Sequence, residues 1–453
     1  MNPKLTVLVV SRAFAPDAEI GAKRITRFCT YLPDYGIRPI VLTVQERFLD
    51  HVDNDFSPPG GIRVERTTEW MNPLHAYARL RRYFLSHHVA SKPHLEPPPV
   101  RSSNSNTPSS LRLLVLSLLN TPDRYLGWYF PAIRVANRLL KREPIRAIFS
   151  SGPPFTCHLI ARHLSKKHGI HWAADFRDGW VTNPNSTDSL EGLTGWPARM
   201  EASCVKQADL VICNTEPLRR SFVQRYPQMT PEKFVTLTNG YDDSIKQPQN
   251  VKPGQPEKLL LHSGSIYGRR RIDTFLQAVS NLVDSGQLAP DSFRILFLGE
   301  IGDSSLGYAH KHAPGLIKTR RIEFEPSTDR WQEAQKLLWA ADILLVFPGT
   351  QLEVPAKFYE YLKTGKPILA VAEKGALTEL VDMTGSGAWA DPNDVAGIAQ
   401  ALLKVLKMAP RTPEEVERKW DAQFHFRSLT RRLAGMLQEL SAKRATGTMS
   451  AGS

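Results

Sequence analysis

Short apolar runs alternate with amphipathic stretches along this chain, and the alternation starts afresh near mid-chain. LTVLVV (5–10), RPIVLTV (38–44), RAIFS (146–150), HWAADF (171–176) and ADLVICN (208–214) read as strands. Helical patterns fall between most of them, at Ala22–Tyr35, Tyr129–Arg142 and His158–His168. A second set follows Asn239: EKLLLHSG (257–264), FRILFLGE (293–300), ADILLVF (341–347) and PILAVA (367–372). Strands joined through helices pair in parallel, and a parallel sheet needs helices on both faces. The order therefore predicts an α/β chain of two doubly wound domains facing across a cleft, the default place for a ligand. YDDSIKQPQNVKPGQPEK (241–258) is polar and rich in Pro and Gly, as a linker is. The boundaries expected are 1–238, a linker over 239–256, and 257–420. A C-terminal helix over 421–440 then packs back towards the first domain, and a disordered tail covers 441–453.

A chain of 453 residues is too long for one core. No stretch reaches the roughly 20 apolar residues that a bilayer span needs. The N-terminal MNPKLTVLVVSRAF runs straight into a strand pattern and does not read as a signal peptide. Cys29, Cys157, Cys204 and Cys213 form no C-x-x-C pair and no zinc spacing, which fits a reduced, cytoplasmic chain. The net charge of +13 attracts polyanions. No nucleic-acid module accompanies it, and the basic residues do not interleave with aromatics, so no nucleic-acid partner is expected. Part of the charge lies in a segment of about 70–125 that departs from the alternation. It holds SKPHLEPPPVRSSNSNTPSS and then an apolar helix candidate, LRLLVLSLLN. This insertion either touches an anionic membrane surface or packs on its own domain.

VPAKFYEYLKTGKPILAV (354–371) carries the chemistry most plainly. Pro355 suits a first helical turn, Gly365 a C-terminal cap, and Pro367 prevents continuation, so the helix predicted is Pro355–Thr364. Lys357 sits at the end where the helix dipole prefers an anion. A cation placed there points to a phosphate arriving at the same spot. Glu360 stands one turn on, where a carboxylate can hold a ribose diol. A solvated Lys/Glu pair on a surface helix is the bland alternative.

The stretch P-x-K-x-x-E-Y-L-x-x-G-K-P resembles the C-domain signature of retaining glycosyltransferases of the GT-B fold, family 4 or group 1, in the subgroup that builds bacterial cell-surface polysaccharides. RAFAPDAEIGAKRITRFCTYLPDYG, SSGPPFTCHLIARHL with DFRDGW, ADLVICNTEPLRRSF, LTNGYDD and HSGSIYGRRRIDTFLQAV are similar to further segments of that family, in the same order. The resemblance implies transfer of a sugar from a nucleotide-sugar donor, with retention and by front-side displacement. It also implies a lipid-linked or polysaccharide acceptor and a place at the periphery of the inner membrane. The leaving diphosphate would be met by cations and helix ends rather than a metal, so no cofactor is expected. Gly264, Arg269, Arg270, Lys357 and Glu360 fall at the family's donor-binding positions, although three adjacent arginines (269–271) cannot all face one ligand. One departure stands out. The family's first glutamate would fall on Leu352, and Glu353 is one residue off.

In the first domain, Gly21 after the first strand allows close approach to donor or acceptor, and Glu19 and Arg24 beside it are candidates for the acceptor. DFRDGW sets Asp175, Arg177 and Asp178 at another strand end, with Asp178 the candidate for acceptor positioning or proton acceptance. A capping role for one of the aspartates is the alternative. Asp53-Asn54-Asp55 matches a D-x-D pattern but sits in a polar loop, and no metal role is assigned to it. Two other classes remain: a nucleotide-sugar epimerase, and a non-catalytic protein of this fold that binds a glycan or a partner.

Overall fold

The computed structural model describes residues 5–53, 56–70, 121–182, 195–248, 257–268, 270–326 and 331–447. Most of the basic insertion, the end of the linker, Asn54-Asp55, Arg269 and the end of the tail lie outside the described residues.

The first unit is a seven-stranded sheet in the order β3-β2-β1-β4-β5-β6-β7, with every pair parallel. Its strands are β1 (Leu5–Val10), β2 (Ile37–Val44), β3 (Arg63–Thr67), β4 (Ile145–Gly152), β5 (His171–Phe176), β6 (Leu210–Cys213) and β7 (Phe234–Thr236). Between them run α1 (Ile20–Tyr31), α2 (Tyr129–Arg142), α3 (Thr156–His168), α4 (Trp196–Gln207) and α5 (Glu216–Arg225). Alternate residues of β1 feed two separate cores, as a twofold strand period requires. Leu8 and Val10 pack with Ala136 of α2, Ile160 of α3 and Val205 of α4. Val7 and Val9 pack with Ile25 and Phe28 of α1.

The second unit is a six-stranded parallel sheet, β10-β9-β8-β11-β12-β13. It comprises β8 (Lys258–Ser263), β9 (Phe293–Leu298), β10 (Ile322–Glu325), β11 (Ile343–Val346), β12 (Ile368–Val371) and β13 (Gly387–Ala390). Its helices are α6 (Asp273–Asp284), α7 (Asp303–His312), α8 (Pro314–Lys318), α9 (Trp331–Ala340), α10 (Lys357–Thr364), α11 (Ala376–Thr384), α12 (Val395–Leu406) and α13 (Pro413–Phe424). In both sheets strand order reverses in the middle, at β1/β4 and at β8/β11. A crevice opens at such a switch point, beyond the C-terminal strand ends.

The chain crosses between the units twice. It leaves the first sheet through Thr238–Tyr241, and α14 (Phe426–Gly447) brings it back. Phe426, Leu429, Leu433 and Leu437 of α14 are buried with Val7, Val9 and Phe149 of the first sheet. The crossings bond to each other, Tyr241 N to Phe424 O at 3.0 Å and Phe426 N to Tyr241 O at 2.8 Å. Gly240 is required there, since a Cβ would stand 2.0 Å from the Phe424 carbonyl oxygen.

Three helices differ from expectation: the one expected over 421–440 is Phe426–Gly447, which runs into the stretch expected as a disordered tail. The 22–35 pattern is α1 followed by a separate 3-10 turn, Leu32–Tyr35, with Pro33 at its start. The helix expected from Pro355 begins at Lys357. Pro355 and Ala356 form the turn ahead of it, their carbonyls accepting from Phe358 N and Tyr359 N.

Candidate functional site

A cavity of about 270 Å³ opens between the units, at the C-terminal ends of β1 and β8. Its C-domain wall is built from the loop after β8 and the start of α10. Gly264 ends β8 with φ +130°, a conformation open to glycine. A Cβ there would lie 2.1 Å from Lys357 Nζ, so the bare backbone is what admits the lysine to the cavity floor. Beneath it, His262 Nδ1 donates to the Leu345 carbonyl at 2.9 Å. That leaves Nε2 as the acceptor 3.4 Å from Lys357 Nζ. Burial, and then the Lys357 charge, push the His262 pKa well below its ordinary value. Lys357 itself is lowered to about 7, first by burial and then by Arg270.

Arg270 reaches across the same wall. It binds Glu353 Oε1 at 2.9 Å and the Ser265 carbonyl at 3.3 Å. Arg271 turns outward onto Asp273. Of the three expected arginines, then, Arg270 faces the cavity, Arg271 does not, and Arg269 lies outside the described residues. Glu360 lines the cavity one helical turn above Lys357. Glu353 is also in the cleft, its second oxygen accepting from Gly349 N at 3.2 Å. Leu352 instead leans on the first domain's core, and its carbonyl accepts from Thr215 Oγ1 at 2.8 Å. The one-residue offset from the family pattern thus still leaves a carboxylate in the cleft.

The first-domain wall is less as expected. Arg24 is 2% exposed. Its Nε and Nη2 bind Asp175 at 3.1 and 2.8 Å, and the Leu237 and Thr238 carbonyls and Asn239 Oδ1 take the rest. Asp175 also accepts from Ser151 Oγ at 2.7 Å. Every N–H of Arg24 is thereby engaged in tying α1 and β5 to the chain leaving β7, and the side chain still borders the cavity. Gly21 makes a close approach to Arg177. Its absent Cβ would fall 1.4 Å from Arg177 Nη1. Arg177 donates to the Pro153 carbonyl, and its Nε is buried without a partner among the described residues. Glu19 stands at the N-cap position of α1 without a side-chain capping bond and lies outside the cavity lining, to which Ile20, Lys23, Arg24 and Arg27 contribute.

Arg27 is the residue that the sequence reading missed. It binds Asp242 at 2.7 Å and stands 3.9 Å from Glu360, so one side chain links α1, the crossing and α10. The signal was available: Lys23, Arg24 and Arg27 recur at helical spacing on α1. Next to the main cavity lies a smaller one of about 160 Å³, lined by Asp178, Tyr267, Arg270 and Glu353. Asp178 has no hydrogen-bond partner among the described residues, and burial raises its pKa to about 6. The two cavities share Tyr267, Arg270 and Glu353. The arrangement can hold an anion on Lys357, Arg270 and a helix end, a diol on Glu360, and a hydroxyl at Asp178. Among the described residues there is no cluster of three metal-binding side chains.

The family model described as glycosyl transferases group 1 matches residues 257–408, and that for glycosyltransferase family 4 matches 100–245. Lipopolysaccharide glucosyltransferase WaaG of Escherichia coli K12 is 25% identical over 201 residues, 41% of this chain. The match spans half of that relative's length. A glycosyltransferase from Rickettsia africae superposes with a TM-score of 0.61 at 14% identity, covering 96% of this chain and 98% of the other. Anabaena HepE, solved with UDP and glucose, gives 0.58 at 13% identity, covering 96% and 99%. At these identities the solved structures speak for the two-domain architecture, and the two family models for descent. The chain belongs to the family 4, or group 1, glycosyltransferases and has the GT-B fold.

Proposed function

We propose that this chain transfers a sugar from a nucleotide-sugar donor, with retention at the anomeric carbon, to a lipid-linked or polysaccharide acceptor in cell-surface glycan biosynthesis. One observation carries the reading: Lys357, Arg270 and Glu360 line one cavity at the switch point of the second sheet, beside the start of α10. The similarity to WaaG, a lipopolysaccharide glucosyltransferase, and to HepE, solved with UDP and glucose, lends it support.

In this reading Glu360 accepts the ribose hydroxyls, while Lys357, Arg270 and the start of α10 receive the diphosphate. As the bond from the anomeric carbon to the phosphate oxygen breaks, negative charge grows on that oxygen. Cations already fixed in place stabilise it without reorganising. The acceptor oxygen forms its bond on the same face. Its proton passes to the departing phosphate oxygen or to Asp178, which borders the adjoining cavity. Glu353 holds Arg270 in line and faces the space where the sugar would lie. Charge compensation is assigned to these side chains, and no metal is called for. The enzyme would work in the cytoplasm against the inner membrane, drawing on cytoplasmic nucleotide sugars. With Glu353 in the cleft, the main motive for a non-catalytic reading is weakened.

The test is to incubate the protein with UDP-, GDP- and ADP-sugars and a lipid extract, without metal, and to follow nucleoside diphosphate release. Extract-dependent release with one donor, and a product of unchanged anomeric configuration by NMR, is the expected result. Inversion, or no release with any donor, contradicts the proposal.

A further inference from the structure

We propose that Arg27, on the first unit, shares a ribose hydroxyl of the donor with Glu360, on the second, so that the donor is gripped from both walls of the cleft. The inference rests on the proposed function, in which Glu360 accepts the ribose hydroxyls. It deepens that function by naming the residue on the far side of the contact.

Arg27 Nη2 stands 3.9 Å from Glu360 Oε1. A direct N–H···O bond needs about 2.7–3.2 Å, so the two are attracted without being bonded. The separation suits a third atom, an oxygen about 2.8 Å from each. A hydroxyl fills such a place best, because it donates its hydrogen to the carboxylate and accepts from the guanidinium on a lone pair. A phosphate oxygen would be repelled by Glu360, and an ammonium group by Arg27.

Both side chains have bonding capacity left. Glu360 lines the cavity and accepts no hydrogen bond among the described residues. Arg27 has N–H donors to spare. Its Nε lies 2.7 Å from Asp242 Oδ2, its Nη2 makes a long contact of 3.4 Å to Ser244 Oγ, and its Nη1 makes no hydrogen bond among the described residues. Arg24, one turn earlier on α1, is the contrast. Protein oxygens take all of its N–H groups.

The guanidinium is also held in place before any ligand arrives. Its Cζ lies 5.1 Å from the ring centroid of Phe426, a buried residue of α14 that lines the same cavity. Asp242, beside the crossing, fixes its Nε end, and the Nη2 end is left towards α10. A donor fixed in advance loses little freedom on binding. The ordinary alternative is that Arg27 only ties α1 to the crossing. That explains Asp242. It does not explain an unbonded carboxylate facing spare guanidinium donors across a cavity. Since α1 and α10 belong to different units, a hydroxyl held by both also favours one width of the cleft.

The experiment is calorimetric titration, without metal, of UDP, GDP and ADP, and of the 2′-deoxy and 3′-deoxy forms of whichever binds. The proteins are wild type, Arg27→Met, Arg27→Lys and Glu360→Ala. Wild type should bind one of the deoxy forms about tenfold or more weakly than the parent, the usual effect of losing a hydrogen bond to a charged group. Arg27→Met should weaken the parent about tenfold, yet weaken that deoxy form less than about twofold, because the partner of the lost bond is already gone. Arg27→Lys keeps a charge beside Asp242 and should fall between the two. It carries the test if Arg27→Met does not fold. An Arg27 with a structural role alone would weaken the parent and both deoxy forms by the same factor, and that result overturns the proposal. So does wild-type affinity for the parent in the Arg27 variants while Glu360→Ala binds weakly, an outcome that leaves the donor-site reading standing. Wild-type affinity in Glu360→Ala, or no nucleotide binding by wild type, removes the donor site and this inference together.

Discussion

Two side chains in the cleft carry unusual protonation, and each sets a prediction. Lys357 has a pKa lowered to about 7 in the empty cleft, by burial and then by Arg270. An unfolded lysine titrates near 10.4. Between those values the unfolded chain holds the extra proton, so this group makes ligand-free stability rise with pH over that window. A diphosphate reverses the balance by favouring the charged lysine. Nucleoside diphosphate binding at pH 8 should therefore take up a proton, seen as a dependence of calorimetric heat on the buffer's ionisation enthalpy. Lys357→Met should remove that dependence and weaken binding at least tenfold, about 1.4 kcal/mol. It should also raise the melting temperature of the empty protein near pH 7. A variant that binds with unchanged affinity contradicts the assigned role.

Asp178 titrates the other way. Its pKa is raised to about 6 by burial, so the free enzyme holds it protonated below that pH. If it accepts the acceptor's proton, kcat/KM should fall as pH drops through about 6. Asp178→Asn should lose about a hundredfold or more and abolish that limb of the profile. The same substitution relieves a buried charge and should leave stability at pH 7 unchanged or higher, which separates catalysis from folding. A retained acid limb in Asp178→Asn would place the titrating group elsewhere.

Among the elements, α14 and the paired crossings hold the two units in register. Leu433 is fully buried between α14 and the first sheet. Leu433→Ala should cost about 2–5 kcal/mol in denaturant unfolding of the first unit, the usual range for such a cavity. Arg24 and Asp175 form a buried pair that ties α1 to β5. Removing one partner strands the other's charge, so Asp175→Asn should destabilise by about 3–5 kcal/mol. Losses below about 1 kcal/mol in either variant would contradict these structural roles.

For the molecule as a whole, the alternation of apolar runs was enough to foresee two parallel α/β units, because buried parallel strands read as unbroken apolar stretches. The strands it overlooked, β3, β7, β10 and β13, are short and partly exposed, and all four are edge strands. The C-domain side of the cleft was legible for a local reason. Lys357 and Glu360 sit one turn apart on a single helix, so spacing alone puts them on one face. The first-domain side was not. Arg24 meets Asp175 across 151 positions and Asn239 across 215, and no local pattern announces such partners. Gly21 shows the same limit: its sequence context signals a tight approach but not that Arg177 is what approaches.

In the proposed function, Glu360 and Lys357 make the cavity between the units a nucleotide-sugar donor site. Its most direct test is calorimetric binding of UDP, GDP and ADP and their common sugar conjugates, without metal, to wild type and to Glu360→Ala. One nucleotide series should bind, with an affinity at least tenfold lower in the variant. Binding of no series, or equal binding by wild type and variant, would contradict it.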